Sequence, residues 1–237
     1  MRRQRKINRQ YDRWSKVYDF TFGRLLQERH QRAIGELGLR AGDRVLDLGI
    51  GTGMTLDHYP GDVQVVGLDL SAGMLQRAAA KIQDRGLDHV QLLQGDAMRP
   101  PLAAGSFDHV LITHVISVVP DPLCLLRWAA RLVRPGGRIV IANHFQSRHR
   151  LIALMQKAVN PLCVQLGWRS DLSLQDLLEA SPLELRSHFK IKALDLWQIV
   201  ALTSTPEPTE VPCVEDSRIN DHFEMELAAS LSDAAAT

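Results

Sequence analysis

The chain has 237 residues, 45% of them hydrophobic and 23% charged, with a formal net charge of +1 at pH 7. That length suits one domain plus tails with a sizeable core, and the near-neutral charge excludes a bulk basic surface for nucleic acid. It contains no apolar run of the roughly 18 residues that a membrane span needs, and its three cysteines (Cys124, Cys163, Cys213), far apart and odd in number, offer no metal spacing and suit a reducing cytosol.

Charge is uneven along the chain. Residues 1–40 carry Arg2, Arg3, Arg5, Lys6, Arg9, Arg13, Lys16, Arg24, Arg29, Arg32 and Arg40 against Asp12, Asp19, Glu28 and Glu36. From Thr203 onward Arg218 stands alone among many acids. A basic end of this kind suggests an anionic partner. Residues 7–38 are predicted mainly helical, because Ile7, Tyr11, Trp14, Val17 and Tyr18 recur at helical spacing with Arg and Lys between them. Two uses are open: a lid whose apolar stripe covers a ligand pocket while its cations are solvated, or a basic amphipathic helix lying on a membrane surface.

A first strand is predicted over 43–48, followed by a turn with Gly49, Gly51 and Gly53, a first helix over 53–58 whose N-terminal amides would face a ligand, and a second strand over 63–68 that ends on Asp69. Strand, glycine turn, helix, strand and acid make the nucleotide-binding half of a doubly wound α/β domain. The glycines allow the backbone to approach a ligand closely, and the acid is placed to accept from both ribose hydroxyls. Ser71 caps a helix over 72–85. A third strand over 90–94 ends in Gly95-Asp96-Ala97, a fourth covers 108–112, Pro122 opens a helix to 133, and a Pro135-Gly136-Gly137 turn leads to a fifth strand over 138–142. This alternation implies a parallel sheet covered on both faces. Residues 147–166 are amphipathic and interrupted by Pro161; their stripe (Leu151, Ile152, Leu154, Met155, Val159, Leu162) reads first as core packing and second as a wall for acyl chains. A short helix over 174–179 and closing strands over 183–191 and 196–203 follow, and the Thr, Pro, Glu, Ser and Ala beyond predict a disordered tail. The organisation is therefore a basic helical lid or membrane-contact segment (1–38), a core (39–204) with an insertion at about 146–182, and an acidic tail (205–237).

The glycine spacing is G-x-G-x-G after Asp47, not the dinucleotide G-x-G-x-x-G. Residues 45–53 (VLDLGIGTG) resemble motif I of the class I S-adenosylmethionine-dependent methyltransferases, and 67–75 (GLDLSAGML) are similar to motif II with its following helix. Gly95-Asp96-Ala97 resembles the adenine-contacting motif, 107–114 motif IV, and 132–137 (LVRPGG) the turn before strand five; together they cover residues 40–145. The flanks are YDRWSKVYD at 11–19 with Phe22-Gly23, ISVVPDP at 116–122, ANHF at 142–145 and GWRSD at 167–171. They are similar to the soluble bacterial phosphatidylethanolamine N-methyltransferases of the Rhodobacter type, which attach to membranes from the cytosol and methylate the lipid amine up to three times, giving phosphatidylcholine. The Tyr-Asp entry motif also occurs in quinone methyltransferases. The acidic tail and the segment holding Asp195 and Trp197 depart from the family pattern.

The resemblance implies a Rossmann-like α/β fold, with a seven-stranded mostly parallel sheet, helices on both faces and an N-terminal helical lid. It implies S-adenosyl-L-methionine as cofactor and S-adenosyl-L-homocysteine as product. By the same resemblance Gly49, Gly51 and Gly53 pack against the methionine part, Asp47 holds its amine directly or through water, and Asp69 takes the ribose hydroxyls. Leu70 and Met74 sandwich the adenine, Asp96 and the Ala97 amide read its edge, Tyr18 closes the pocket, and His114 lies near the cofactor. Transfer from a sulfonium is governed by alignment and charge, and the acceptor amine must first lose a proton. His144 is the candidate base, the alternative being a histidine that only bonds backbone after strand five. Tyr18 and Tyr11 are candidates to orient the amine and stabilise methylated ammonium through their ring faces, or else core aromatics. Arg148, Arg150 and Arg169, with His149, are candidates for the lipid phosphate, or else solvated cations. The implied partners are a phospholipid substrate and an anionic membrane surface met by the basic N-terminal helix, with no metal and no nucleic acid, on the cytoplasmic face of the membrane. Two rivals remain: a methyltransferase for another small molecule such as a quinone, and a catalytically inactive cofactor-binding partner. No Asn/Asp-Pro-Pro-Tyr/Phe motif follows strand four, against nucleic-acid N-methylation.

Overall fold

The computed structural model describes residues 26–147, 150–165, 168–181, 183–191 and 197–204. A helix α1 runs through 26–37. Then come β1 (Arg44–Leu48), β2 (Gln64–Asp69), α2 (Ala72–Arg85), β3 (Val90–Gln94), β4 (Phe107–Thr113), α3 (Pro122–Leu132), β5 (Val133–His144), α4 (Arg150–Gln165), α5 (Leu174–Glu179), β6 (Leu183–Phe189) and β7 (Trp197–Ser204). The seven strands form one sheet in the order β3-β2-β1-β4-β5-β7-β6. Strands β1 to β5 pair in parallel, whereas β7 is antiparallel to both β5 and β6. This is the seven-stranded, mostly parallel sheet that the sequence predicts.

Local chemistry explains the elements. In β4, residues 109–113 are all buried, as suits a central parallel strand covered on both faces. The Ser71 hydroxyl accepts from the Met74 amide at 3.2 Å and opens α2, and Gly86 closes it in the left-handed region (φ 61). Asp121 caps α3 by accepting from the Cys124 amide at 2.9 Å, with Pro122 at the first turn. On one face Leu125, Leu126, Ala129 and Leu132 of α3 pack on Val110, Ile112, Ile139, Ile141 and Val200. On the other, Ala33, Ile34 and Leu37 of α1 pack with Val45, Leu111, Val140 and Ile199.

Three predicted elements differ. The helix expected over 53–58 is only a 3-10 turn, Leu56–His58. Gly51 and Gly53 are left-handed (φ 57 and 72), and Pro60 disfavours helical backbone just before it, so no α-helix begins directly after the glycine turn. The Pro-Gly-Gly turn lies within β5 as an irregular four-residue bulge: Phe107 pairs with Val133 and His109 with Arg138, so residues 134–137 loop out opposite Asp108. Helix α4 runs through Pro161 without a break, and the expectation that its stripe packs in the core fails for Leu154, Met155 and Val159, which are 65%, 67% and 48% exposed. The predicted lid segment before residue 26, including Tyr11 and Tyr18, and the tail from 205 lie outside the described residues.

Candidate functional site

Strands β1, β2, β4 and β5 end at one edge of the sheet, and β7 begins there because it runs the other way. Ligands of open α/β sheets bind at this carboxyl edge, where the strand order reverses. The reversal here falls between β1 and β4. The glycine turn, Asp69, His114, His144 and Trp197 gather around it.

The glycine turn is built for close approach. Gly49 is left-handed (φ 87), and a Cβ there would collide with the Val115 side chain. The Gly49 and Ile50 amides both donate to the Leu68 carbonyl, at 2.7 and 3.1 Å. The Gly51 amide donates to Asp69 Oδ2 at 2.9 Å, and the Ser71 amide to Asp69 Oδ1 at 2.8 Å. Burial raises the Asp69 carboxyl above the usual range, while the Ser71, Gly51 and Leu70 amides oppose the rise. Each carboxylate oxygen accepts more than one donor, so Asp69 keeps capacity for ribose hydroxyls. The Gly95 amide donates to the Asp69 carbonyl at 3.0 Å and the Gln94 side-chain amide to the Leu70 carbonyl at 3.2 Å. These bonds draw the tip of β3, with Asp96 and Ala97, against Asp69 and Leu70. Asp96 is exposed and accepts from the Met98 amide at 2.8 Å; Leu70 is 39% exposed and Met74 half-buried. The residues predicted to hold an adenosine therefore lie side by side.

Asp47 is wholly buried. Its Oδ2 accepts from the Thr55 hydroxyl at 2.6 Å and the Tyr59 hydroxyl at 2.9 Å, whereas its Oδ1 has no hydrogen-bond partner. Burial lifts its pKa to about 6, against the two hydroxyls, which pull it down. A buried carboxylate oxygen without a donor is costly unless a ligand supplies one. An ammonium group does so. Together, the orphaned Oδ1, the left-handed glycine cradle and the spare capacity of Asp69 fit the amino-acid and ribose ends of S-adenosylmethionine. Thr55 and Tyr59 escaped the sequence reading; the one available signal was that a carboxylate in a buried strand needs nearby donors.

His114 follows β4 and is the one non-glycine residue with positive φ (60) among the described residues. Its Nδ1 accepts from the Trp197 indole N–H at 3.2 Å, and its Nε2 lies 3.2 Å from His30 Nε2. Burial, with His30, His144 and Arg29 nearby, lowers its pKa to about 3, so the ring is neutral. His30, on α1, is 2% exposed and is lowered to about 4, chiefly by burial. The Arg29 guanidinium sits 4.7 Å over the Trp197 ring. His30 and the role of Trp197 were not legible in the sequence, since both contacts span more than 80 residues.

His144 ends β5. Its Nε2 is 2.8 Å from the Arg169 carbonyl, which only an N–H can satisfy, so Nδ1 carries the lone pair of the neutral ring. Its ring meets Trp168 edge-on, with centroids 4.6 Å apart. Burial lowers its pKa, partly opposed by that carbonyl, so near neutral pH it is a free base. The backbone-anchor reading of His144 describes its Nε2, while Nδ1 keeps its lone pair. The Arg169 side chain lies 3.6 Å from Asp171, its amide donates to the Ser117 carbonyl at 2.8 Å, and its backbone braces His144. Arg148 and His149 lie outside the described residues, as does the side chain of Arg150, which begins α4. Among the described residues no cluster could hold a metal ion, and no helix is long and apolar enough to cross a membrane.

Residues 46–141 match the sequence profile of a methyltransferase domain family. The chain is 37% identical over 180 residues to a phosphatidylethanolamine N-methyltransferase of Cereibacter sphaeroides, covering 76% of this chain and 88% of that protein. It is 35% identical over 138 residues to a demethylmenaquinone methyltransferase of Lactococcus lactis subsp. lactis, covering 56% of this chain and 54% of that one. Among solved structures, a geranyl diphosphate methyltransferase in complex with S-adenosylmethionine superposes with a TM-score of 0.62 at 16% identity, over 76% of this chain and 86% of that one, a likeness of fold.

Proposed function

The chain belongs to the class I S-adenosylmethionine-dependent methyltransferases, and from that premise we propose that it N-methylates phosphatidylethanolamine and its mono- and dimethyl forms toward phosphatidylcholine, at the inner surface of the cytoplasmic membrane. The observation that carries this reading is the extent of the likeness: at 37% identity it runs through 88% of the phosphatidylethanolamine enzyme, against 54% and 69% of two demethylmenaquinone methyltransferases at 35% and 31% identity. Helix α4 supports it. Its sequence holds Arg150 and Lys157 and no acid, and Leu154, Met155 and Val159 face solvent. The helix is tied to the site rim, because the Ser147 amide donates to Gln156 Oε1 at 2.7 Å and the Ser170 amide to Asn160 Oδ1 at 2.9 Å. An exposed apolar face without acids suits an anionic bilayer.

S-adenosylmethionine, when bound, supplies an electrophilic methyl group on a sulfonium. In this reading Asp47 and Asp69 fix the amine and ribose, and the glycine turn admits the backbone to close range. His144 Nδ1 takes the proton from the acceptor ammonium before transfer. Its Nε2–H, held by the Arg169 carbonyl, keeps the ring in the tautomer that this requires. Tyr11 and Tyr18 orient the amine, Arg148, Arg150 and Arg169 meet the phosphate, and the N-terminal cations meet anionic lipid. The test is mass spectrometry of lipid extracts from a host rich in phosphatidylethanolamine and lacking phosphatidylcholine, with and without this protein. Methylated lipid is expected. Its absence, from folded protein that binds cofactor, would transfer the proposal to a quinone acceptor, or to an inactive partner if no acceptor is turned over.

A further inference from the structure

A buried histidine that no motif identifies links the first helix to the tip of β4. Leu26, His30, Ala33, Ile34 and Leu37 form the buried stripe of α1, so His30 occupies a position where Leu would pack without a polar group to satisfy. The tautomers of the chain follow from its far end. The Trp197 indole only donates, so His114 Nδ1 is the acceptor and the neutral ring bears its proton on Nε2. That N–H donates to His30 Nε2 at 3.2 Å, which puts the His30 proton on Nδ1. His30 Nδ1 is buried, without a partner in bonding geometry, and the histidine faces the Met54 carbonyl just past the glycine turn. One side chain thus bonds the tip of β4 and, through it, reaches β7.

His114 is held in left-handed backbone, a conformation that a β-substituted residue adopts at a cost. The next residue, Val115, packs where a Cβ on Gly49 would be. The conformation of His114 therefore sets the wall against which the first glycine of the turn rests. We propose that His30 is a positioning residue for methyl transfer: by accepting the Nε2–H that the Trp197 indole leaves on His114, it fixes the orientation of that ring and holds the tip of β4 against the glycine turn. The inference rests on the methyltransferase assignment and not on the identity of the acceptor.

The test compares full-length wild type with His30→Leu, which removes the acceptor, and His30→Gln, whose carbonyl can replace it. In nitrogen-15 spectra of histidine-labelled protein, the His114 ring (assigned through His114→Asn) should show a protonated Nε2 and a bare Nδ1. Exchange of that proton should accelerate about tenfold or more in His30→Leu and stay slow in His30→Gln. With phosphatidylethanolamine in mixed micelles, kcat should fall about tenfold in His30→Leu, while the S-adenosylhomocysteine Kd moves less than about threefold. His30→Gln should recover most of kcat even if its melting temperature matches that of His30→Leu. A wild-type proton on Nδ1 of His114, unchanged kcat in His30→Leu, or His30→Gln as impaired as His30→Leu would each overturn the proposal. If wild type methylates no lipid, the lipid reading fails, and the ring-nitrogen spectra still decide this one.

Discussion

Replacing Asp47 by Asn should stabilise the ligand-free protein at neutral pH and cripple its hold on the cofactor. The pKa rises from 3.8 to about 6 on folding, driven first by burial. A raised carboxylate pKa means that the fold favours the protonated form. The contribution is present at low pH and is lost as pH climbs from the unfolded value through the folded one. With those two values, ionised Asp47 costs the folded state about 3 kcal/mol at pH 7 and about 1 kcal/mol at about pH 4.5. Asn carries no such cost, and its unequal hydrogen bonds to Thr55 and Tyr59 do not titrate, so they cancel when two pH values are compared. Urea unfolding of both proteins should show Asp47→Asn gaining about 2 kcal/mol on wild type between about pH 4.5 and pH 7. The same orphaned Oδ1 predicts that a ligand ammonium lowers the pKa again. Binding of S-adenosylhomocysteine near pH 6 should then release protons, read as heats that vary with the ionisation enthalpy of the buffer, and Asp47→Asn should release fewer. A difference in stability that is independent of pH, with no proton release in wild type, would refute the reasoning.

Asp69→Ala removes the ribose acceptor along with the Gly51 and Ser71 amide bonds, and calorimetry should show cofactor binding weakened by about 1–3 kcal/mol; unchanged affinity would remove Asp69 from the ribose site. Gly49→Ala adds a Cβ at positive φ against Val115, so thermal melts should show a loss of at least about 1 kcal/mol, together with lost cofactor binding. His144→Ala should lower kcat about 10²-fold or more. Because burial lowers the His144 pKa from 6.5 and the base works neutral, the acid limb of wild-type kcat should lie below pH 6.5 and vanish in the variant. Replacing Arg2, Arg3, Arg5 and Lys6 with Gln should weaken binding to anionic vesicles in sedimentation assays by up to about 1 kcal/mol per charge; equal binding would leave those cations merely solvated.

The glycine turn and its flanking acids were legible because their geometry is local. Asp47, Gly49, Gly51, Gly53 and Asp69 fall within one strand-turn-strand passage, and the turn's backbone demands glycines at fixed offsets. Ser71 announced its helix in the same way, through a bond only three residues long, and Pro122 announced the next by its place at the first turn. The helix expected at 53–58 shrinks to one 3-10 turn because Gly51 and Gly53 are left-handed and Pro60 follows closely. The stripe of α4 was misread because helical period records that a face is apolar, not what covers it. His30 and the role of Trp197 were missed for a third reason. Each matters through a partner brought near only by the assembled sheet, and a lone histidine on an apolar stripe looks the same whether or not another imidazole awaits it.

The place of β7 between β5 and β6 bears on how the molecule is made. Everything from the glycine turn to His114 has left the ribosome long before residues 197–204, and chains fold from the N-terminal side as they are synthesised. A nascent chain can therefore pair β1, β2, β3, β4 and β5 while the outer side of β5, twelve residues long, still lacks its neighbour. Such an open edge invites pairing with other chains. Translation that stalls before Trp197 would leave an adhesive intermediate with its glycine turn already formed and His114 Nδ1 without its indole, and arrival of the last strand both covers the open side of β5 and supplies that donor.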